Sequence, residues 1–92
     1  MGRLEGKVAI ITGGARGQGA LDAELFAKER AKVVICDILD QQGKDVEAKV
    51  LATGGDAVYS HLDVTRDDDW QQAVNLAESR YGKLDILVNN AG

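Results

Sequence analysis

Residues 7–19 read Lys7-Val-Ala-Ile-Ile-Thr-Gly-Gly-Ala-Arg-Gly-Gln-Gly19 and contain the most informative pattern in the chain. The residues before its first glycine are mostly apolar and β-branched, a pattern typical of a strand buried on both faces of a parallel sheet. Beyond the glycines, Leu21, Leu25 and Phe26 recur at helical spacing. The sequence therefore predicts a central strand, a tight glycine turn and a helix from about Gln18 to Lys28.

The alternation of strands and helices continues along the rest of the chain. Four strands that alternate with three helices require right-handed crossovers, and this predicts one parallel α/β sheet whose strand order the pattern leaves open. The remaining predicted elements are strands over Val33–Asp37, Ala57–His61 and Leu84–Asn89, a helix over about Gln41–Thr53, and a helix between Thr65 and Gly82.

The later helices have predicted ends and inner faces. Gly54 offers a left-handed cap after the second helix. Thr65-Arg-Asp-Asp68 resembles a capping box, with Asp in place of Glu or Gln, at the start of the third. The predicted inward-facing residues are Val46, Val50 and Leu51 in the second helix, and Trp70, Ala73, Val74 and Ala77 in the third.

Composition narrows the class of protein. At 92 residues, with 45% hydrophobic and 28% charged residues, the chain is one small globular domain over residues 1–92. A net charge of -4 without a basic block argues against nucleic acid and anionic membranes as partners. No apolar run is long enough to cross a bilayer. A lone cysteine, Cys36, permits no internal disulfide, so we expect a cytoplasmic protein.

Glycines between a strand and a helix suit a phosphate-binding turn. Backbone N–H groups at a helix N-terminus can bind a pyrophosphate, and glycine supplies positive φ and close approach. Asp37 ends the second strand about twenty residues on, where a carboxylate can accept both ribose hydroxyls of an adenosine. The alternatives are an ordinary strand-to-helix turn for the glycines and a purely structural helix or turn residue for Asp37.

Three motifs in this order resemble the short-chain dehydrogenase/reductase family. Thr12 to Gly19 resembles its TGxxxGxG motif, Asp63-Val64 its Asp-Val pair, and Asn89-Asn90-Ala91-Gly92 its NNAG motif. The resemblance covers the whole chain and implies a Rossmann-like half sheet in strand order 3-2-1-4. It identifies the chain as the N-terminal, cofactor-binding half of an oxidoreductase acting on secondary alcohols or ketones.

The resemblance also assigns residues to a cofactor. Asp63 would hold the adenine amino group, Val64 would line the adenine pocket, Asn90 would approach the adenosine ribose, and Asn89 would brace the loop. For Asn89 and Asn90 the alternative is two polar residues that end a strand. The predicted cofactor-binding set is Gly13, Arg16, Gly17, Gln18, Gly19, Asp37, Asp63, Val64 and Asn90.

Charge predicts which nicotinamide cofactor is bound. Asp37 would accept hydrogen bonds from the ribose hydroxyls of NAD but would repel the 2′-phosphate of NADP. Arg16 argues the other way, because a cation in the glycine loop can pair with that phosphate. We give Asp37 more weight and expect NAD.

Catalytic and metal-binding residues are not predicted. The family's Tyr-xxx-Lys dyad is absent, since the residues four positions after Tyr59 and Tyr81 are Asp63 and Asp85. His61 is expected at the core or rim. Asp67 to Asp69 suit the positive end of a helix dipole, and Cys36 is expected to be an inert core residue.

Two residues depart from the family pattern. Leu21 stands where a small residue is usual, and we expect it to crowd the contact between helix and sheet. Arg30 stands where the first helix usually ends in glycine, so a left-handed conformation there would cost about 1 kcal/mol. Both changes predict altered cofactor affinity and loop geometry.

Alternatives to the enzyme half are a free-standing or engineered adenine-nucleotide-binding module without catalysis, and an engineered or self-associating Rossmann fragment that binds no cofactor. In the order 3-2-1-4 the fourth strand is an edge, and Ile86 to Val88 carry no proline or lysine to protect it. We therefore expect a homodimer or larger oligomer through this edge.

Overall fold

The computed structural model describes residues 2–90, which form three helices and four strands. Every predicted element is present, and the boundaries agree with the prediction to within two residues. The fourth strand is two residues shorter at its start than predicted. The elements are β1 (Val8–Thr12), α1 (Gly17–Lys28), β2 (Lys32–Asp37), α2 (Asp40–Ala52), β3 (Asp56–His61), α3 (Asp67–Tyr81) and β4 (Ile86–Asn89).

The four strands form one parallel sheet in the order β3-β2-β1-β4. Ile11 of β1 lies between Ile35 of β2 and Val88 of β4 in the register. The predicted Rossmann-like half sheet and its strand order are therefore confirmed. Because all strands run in one direction, the carboxyl ends of β1, β2 and β4 and the start of α1 meet at one edge of the sheet.

Apolar residues cover both faces of the two central strands. On one face, Ile11, Val33 and Ile35 pack with residues of α1 and α2. On the other face, Ile10 and Val34 pack with residues of α3. This two-sided burial is why β1 and β2 have continuous apolar sequences rather than alternating ones.

The inner face of α2 differs from the prediction at one position. Val46 and Val50 are buried, but Leu51 is 49% exposed because it lies one residue, or about 100° of helix, beyond Val50. Gly43 is the third buried residue of this helix. A Cβ on Gly43 would overlap the ring of Tyr59, so the absent side chain makes room for an aromatic residue of β3.

The start of α3 is not the predicted capping box. The N-cap residue is Arg66, which makes no side-chain cap hydrogen bond. Instead, Asp63 Oδ1 accepts hydrogen bonds from the backbone N–H and hydroxyl of Thr65 at 2.9 and 2.7 Å. Asp69 Oδ2 in turn accepts the backbone N–H of Asp63 at 2.9 Å. The carboxylates of Asp63 and Asp69 therefore bind groups of the turn that precedes α3, and the N-cap residue makes no side-chain cap.

Inward-facing residues of α3 follow the predicted spacing. Ala73 and Ala77 are buried, and Trp70 and Val74 are partly buried against the same core. Trp70 is also anchored by its indole N–H, which donates to the carbonyl of Val64 at 2.9 Å.

Asp85 explains why β4 begins late. Its side chain accepts the N–H of Val8 at 2.9 Å, and its own N–H donates to the carbonyl of Val8 at 2.9 Å. The residue pairs with β1 partly through its side chain, so regular strand geometry starts only at Ile86. In the described residues no helix is long and apolar enough to cross a membrane.

Candidate functional site

The glycine loop between β1 and α1 depends on positive φ at two positions. Gly13 has φ 63° and Gly17 has φ 60°, both in the region that favours glycine. Arg16 is the extended N-cap residue of α1 and its side chain makes no cap hydrogen bond. The loop therefore ends with the N-terminal amides of α1 at the carboxyl edge of the sheet, a position suited to an anion.

Gly19 has a packing role in this loop. A Cβ at Gly19 would overlap the carbonyl oxygen of Gly13, and one at Gly14 would lie 2.9 Å from Cγ2 of Ile35. Leu21, by contrast, does not crowd the sheet as expected. It is 62% exposed because Gly19, Ala23 and Ala27 form the buried face of α1.

Asp37 joins the end of β2 to the glycine loop. Its Oδ2 accepts the N–H of Ala15 at 3.1 Å, and its Oδ1 accepts the N–H of Leu39 at 3.1 Å. A carboxylate has roughly four lone-pair sites, so two acceptor positions remain for a ligand. The predicted acidic residue thus lies beside the loop and also braces it.

A cluster beside Asp37 was not predicted from the sequence. The Tyr59 hydroxyl lies 2.6 Å from both the Asp37 carbonyl oxygen and Asp40 Oδ1, and His61 Nδ1 lies 2.7 Å from the same Asp40 oxygen. Desolvation, followed by the contact with Asp40, raises the pKa of Tyr59. Tyr59 and His61 are two residues apart in β3 and therefore lie on the same face of the strand. That spacing was the signal in the sequence from which this cluster could have been predicted. His61 is exposed at the rim of the sheet.

Asp63 and Val64 follow β3 at the same edge. The hydroxyl and backbone hydrogen bonds from Thr65 lower the pKa of Asp63, so its carboxylate stays ionised. The position agrees with the resemblance, but the Asp63 side chain is already engaged by the turn. Contact with an adenine amino group would use its remaining acceptor sites.

Residues at the end of β4 are tied to β1 and α1. Asn89 Oδ1 accepts the Thr12 hydroxyl at 2.8 Å, and the backbone N–H of Asn90 donates to Thr12 Oγ1 at 3.2 Å. The side-chain amide of Asn90 donates to Asp22 of α1 at 3.2 Å. Ala91 and Gly92, the last two residues of the proposed NNAG motif, lie outside the described residues.

These segments surround a pocket of about 480 Å³. It joins the positive end of α1, an acceptor carboxylate and an apolar wall, which are the groups that an adenosine diphosphate requires. Gln18 and Gly19 do not line it, although both belong to the predicted set. Predicted residues that do line the pocket are Gly13, Arg16, Gly17, Asp37, Asp63, Val64 and Asn90, and the unpredicted ones are Ile38, Leu39 and Leu62.

Cys36 and the possible metal ligands within residues 2–90 provide neither a catalytic nor a metal site. Cys36 is fully buried in β2, and desolvation raises the pKa of its thiol to about 12, which keeps it protonated and inert. Within residues 2–90, no group of three or more His, Cys, Asp or Glu side chains could hold a metal ion.

Comparisons with known proteins give one consistent family. The family model described as short chain dehydrogenase matches residues 7–92. The chain is 54% identical over 90 residues to "Tropinone reductase-like 1" of Erythroxylum coca, and the match covers 98% of this chain and 32% of that protein. It is 50% identical over 91 residues to a "3-alpha-(or 20-beta)-hydroxysteroid dehydrogenase" of Mycobacterium tuberculosis, covering 99% of this chain and 34% of that protein.

Solved structures agree. A crystal structure of a hydroxysteroid dehydrogenase from Escherichia coli superposes with a TM-score of 0.94 at 41% identity, over 99% of this chain and 39% of that one. A dehydrogenase/reductase from Sinorhizobium meliloti superposes with a TM-score of 0.92 at 37% identity, over 97% and 36%. The chain spans about a third of the length of these relatives. With the motifs, the sheet order and the pocket in agreement, the chain belongs to the short chain dehydrogenase family.

Proposed function

We propose that residues 1–92 act as the nucleotide-binding part of an oxidoreductase and bind NAD in the pocket at the carboxyl edge of the sheet. The observation that carries the proposal is the position of Asp37, which lies beside the glycine loop and lines the same pocket as Asn90. The N-terminal amides of α1 would receive the diphosphate, and Asp37 would receive the ribose hydroxyls.

The same carboxylate makes NAD the preferred cofactor. A ribose 2′-phosphate would place its negative charge against the Asp37 carboxylate, and removing that repulsion would require a cation close by. Arg16 lines the pocket but is exposed to solvent, where an ion pair contributes little. The repulsion therefore outweighs the attraction, and NADP binds more weakly.

Calorimetric titration with NAD and with NADP tests this choice. We expect wild-type protein to bind NAD more tightly than NADP. In Asp37→Asn, the dissociation constant for NADP divided by that for NAD should fall by about tenfold, which corresponds to about 1.4 kcal/mol. Asn keeps the size of the side chain while removing its charge. A ratio that is the same in wild type and Asp37→Asn would show that Asp37 does not select the cofactor.

The reaction of the longer protein is proposed from the relatives. The names of the two hydroxysteroid dehydrogenases describe oxidation of an alcohol, which fits NAD-dependent interconversion of a secondary alcohol and a ketone. In such a reaction bound NAD would accept a hydride from the alcohol, and its reduced form would donate a hydride to the ketone. Within the 92 residues, no Tyr is followed by Lys at the dyad spacing, so we assign this chain to cofactor binding and no residue of it to proton transfer.

We also propose self-association through β4 and a cytoplasmic location. Within residues 2–90, β4 pairs only with β1 and its other edge is open. An open apolar edge favours pairing with a second copy about a two-fold axis, which gives a homodimer or a higher oligomer. A single buried thiol in the chain fits a reducing compartment.

A further inference from the structure

Asp22 connects the start of α1 to the pocket residue Asn90, which is far from it in the sequence. Its Oδ1 accepts the side-chain N–H of Gln18 at 2.8 Å, and its Oδ2 accepts the side-chain N–H of Asn90 at 3.2 Å. The carboxylate thereby joins the first turn of α1 to the residue that follows β4.

The contact with Asn90 distinguishes Asp22 from ordinary helix pairs. Gln41 and Asp45 form the same i,i+4 hydrogen bond on α2 at 3.0 Å, and no residue from another element joins that pair in the described hydrogen bonds. Such pairs stabilise a helix only slightly. The link to β4 must therefore be explained separately from helix stability.

An ionised carboxylate determines which way the Asn90 amide faces. A carboxylate only accepts hydrogen bonds, whereas a side-chain amide has one donor end and one acceptor end and can rotate by 180°. Asp22 therefore binds the NH2 end of Asn90 and leaves the oxygen end for another donor. The backbone of Asn90 is held separately by Thr12.

We propose that Asp22 is a positioning residue that orients the Asn90 amide so that its oxygen is available to a hydroxyl donor bound in the pocket. Asn90 lines that pocket, and a ribose presents hydroxyl donors. The inference rests on the proposed nucleotide-binding function. Asp22 lies outside the glycine motif, yet it would set the hydrogen-bonding direction of Asn90, which lines the pocket.

The orientation can be measured without a cofactor. In 15N-labelled protein we expect Asp22→Ala to shift the Asn90 side-chain NH2 resonances and to speed their exchange with water. Asp45→Ala, which removes the matched pair on α2, leaves them unchanged. NH2 signals of Asn90 that are identical in wild type and Asp22→Ala would overturn the inference.

Binding provides the second measurement. Titration with NAD is expected to show about three- to tenfold weaker binding for Asp22→Ala, the loss of about one hydrogen bond. Asp45→Ala should bind as wild type does. Asp22→Asn keeps the size of the side chain but offers only one amide oxygen to two donors, so we expect an intermediate effect.

A double-mutant cycle separates positioning from general destabilisation. If Asp22 acts through Asn90, Asp22→Ala has no further effect on NAD binding in an Asn90→Ala background. An undiminished effect in that background would overturn the inference. Failure of the wild-type chain to bind NAD would instead contradict the proposed function, and the NH2 resonances would still decide the role of Asp22.

Discussion

At the scale of single residues, the Asp40–His61 pair shows how side chains on neighbouring elements shape the edge of the pocket. The hydrogen bond to Asp40, opposed by a smaller desolvation effect, raises the pKa of His61, and the charges of Asp69 and Asp63 act in the same direction. The hydrogen bonds from Tyr59 and then from His61 lower the pKa of Asp40, and the nearby charge of Lys44 adds to that effect.

These pKa shifts define the pH range in which the pair stabilises the fold. The contribution of His61 is fully present below its ordinary pKa of 6.5 and is lost as the pH rises through the raised folded value. The contribution of Asp40 is present above its ordinary pKa of 3.8 and is lost as the pH falls through the lowered folded value. The pair is therefore most effective at mildly acidic pH.

His61 is the only histidine, so its titration can be followed directly by NMR. We expect a midpoint above 6.5 in the wild type and a lower midpoint in Asp40→Asn, because the neutral amide no longer favours the imidazolium. Asp67→Asn serves as the control, since Asp67 is exposed at the start of α3. Equal midpoints in wild type and Asp40→Asn would refute the assignment.

At the scale of elements, α1 and α2 end with the same hydrogen-bond pattern but different residues. After α1, Ala31 N–H donates to the Phe26 carbonyl and Arg30 N–H to the Ala27 carbonyl, both at 3.0 Å. After α2, Gly55 N–H donates to the Val50 carbonyl at 3.0 Å and Gly54 N–H to the Leu51 carbonyl at 3.1 Å. Both are Schellman motifs, which require a left-handed residue at the position after the cap.

Arg30 occupies that left-handed position with φ 70°, as predicted, and Gly54 occupies the equivalent one with φ 86°. A side chain is disfavoured there by roughly 1 kcal/mol. We therefore expect Arg30→Gly to raise the free energy of unfolding by about 1 kcal/mol in urea denaturation. The reciprocal change, Gly54→Arg, should lower it by a similar amount, and a destabilised Arg30→Gly protein would contradict the argument.

At the scale of the whole molecule, the open edge of β4 governs the proposed self-association. Val88 packs against the core shared with α1 and α2, Ile86 lies on the same face of β4 and is partly buried, and Leu87 on the opposite face is 55% exposed. Within residues 2–90, this edge thus combines backbone groups that no further strand pairs with and an exposed apolar side chain. Both features favour strand pairing with another copy.

Light scattering at micromolar concentration tests the association. We expect a mass of at least two chains for the wild type and a shift toward one chain for Leu87→Lys, because a charge beside the edge opposes pairing. Leu25→Lys is the matched control, since Leu25 is 56% exposed on α1, away from the edge. A monomeric wild type, or a Leu87→Lys protein that associates as the wild type does, would exclude pairing through β4.

The order of the elements, the parallel sheet and the residues at its carboxyl edge could all be predicted from the amino-acid sequence. These follow from local patterns: apolar runs that suit strands buried on both faces, helical spacing, and glycines where positive φ is required. Strand order came from the family resemblance. The positions of Asp37 and Asn90 also follow from local patterns. Asp37 ends β2 and Asn90 follows β4, and the carboxyl ends of parallel strands lie at one edge of the sheet.

The contacts between distant side chains became visible only in the folded structure. Asp22 and Asn90 are 68 residues apart, Tyr59 and Asp40 are 19 apart, and Gly43 is needed because the ring of Tyr59 lies against it. The resemblance assigns Asp63 to an adenine amino group, and the structure shows that its side chain also binds Thr65. Local patterns restrict backbone conformation over a few residues, whereas hydrogen-bond partners depend on distances set by the packing of whole helices and strands.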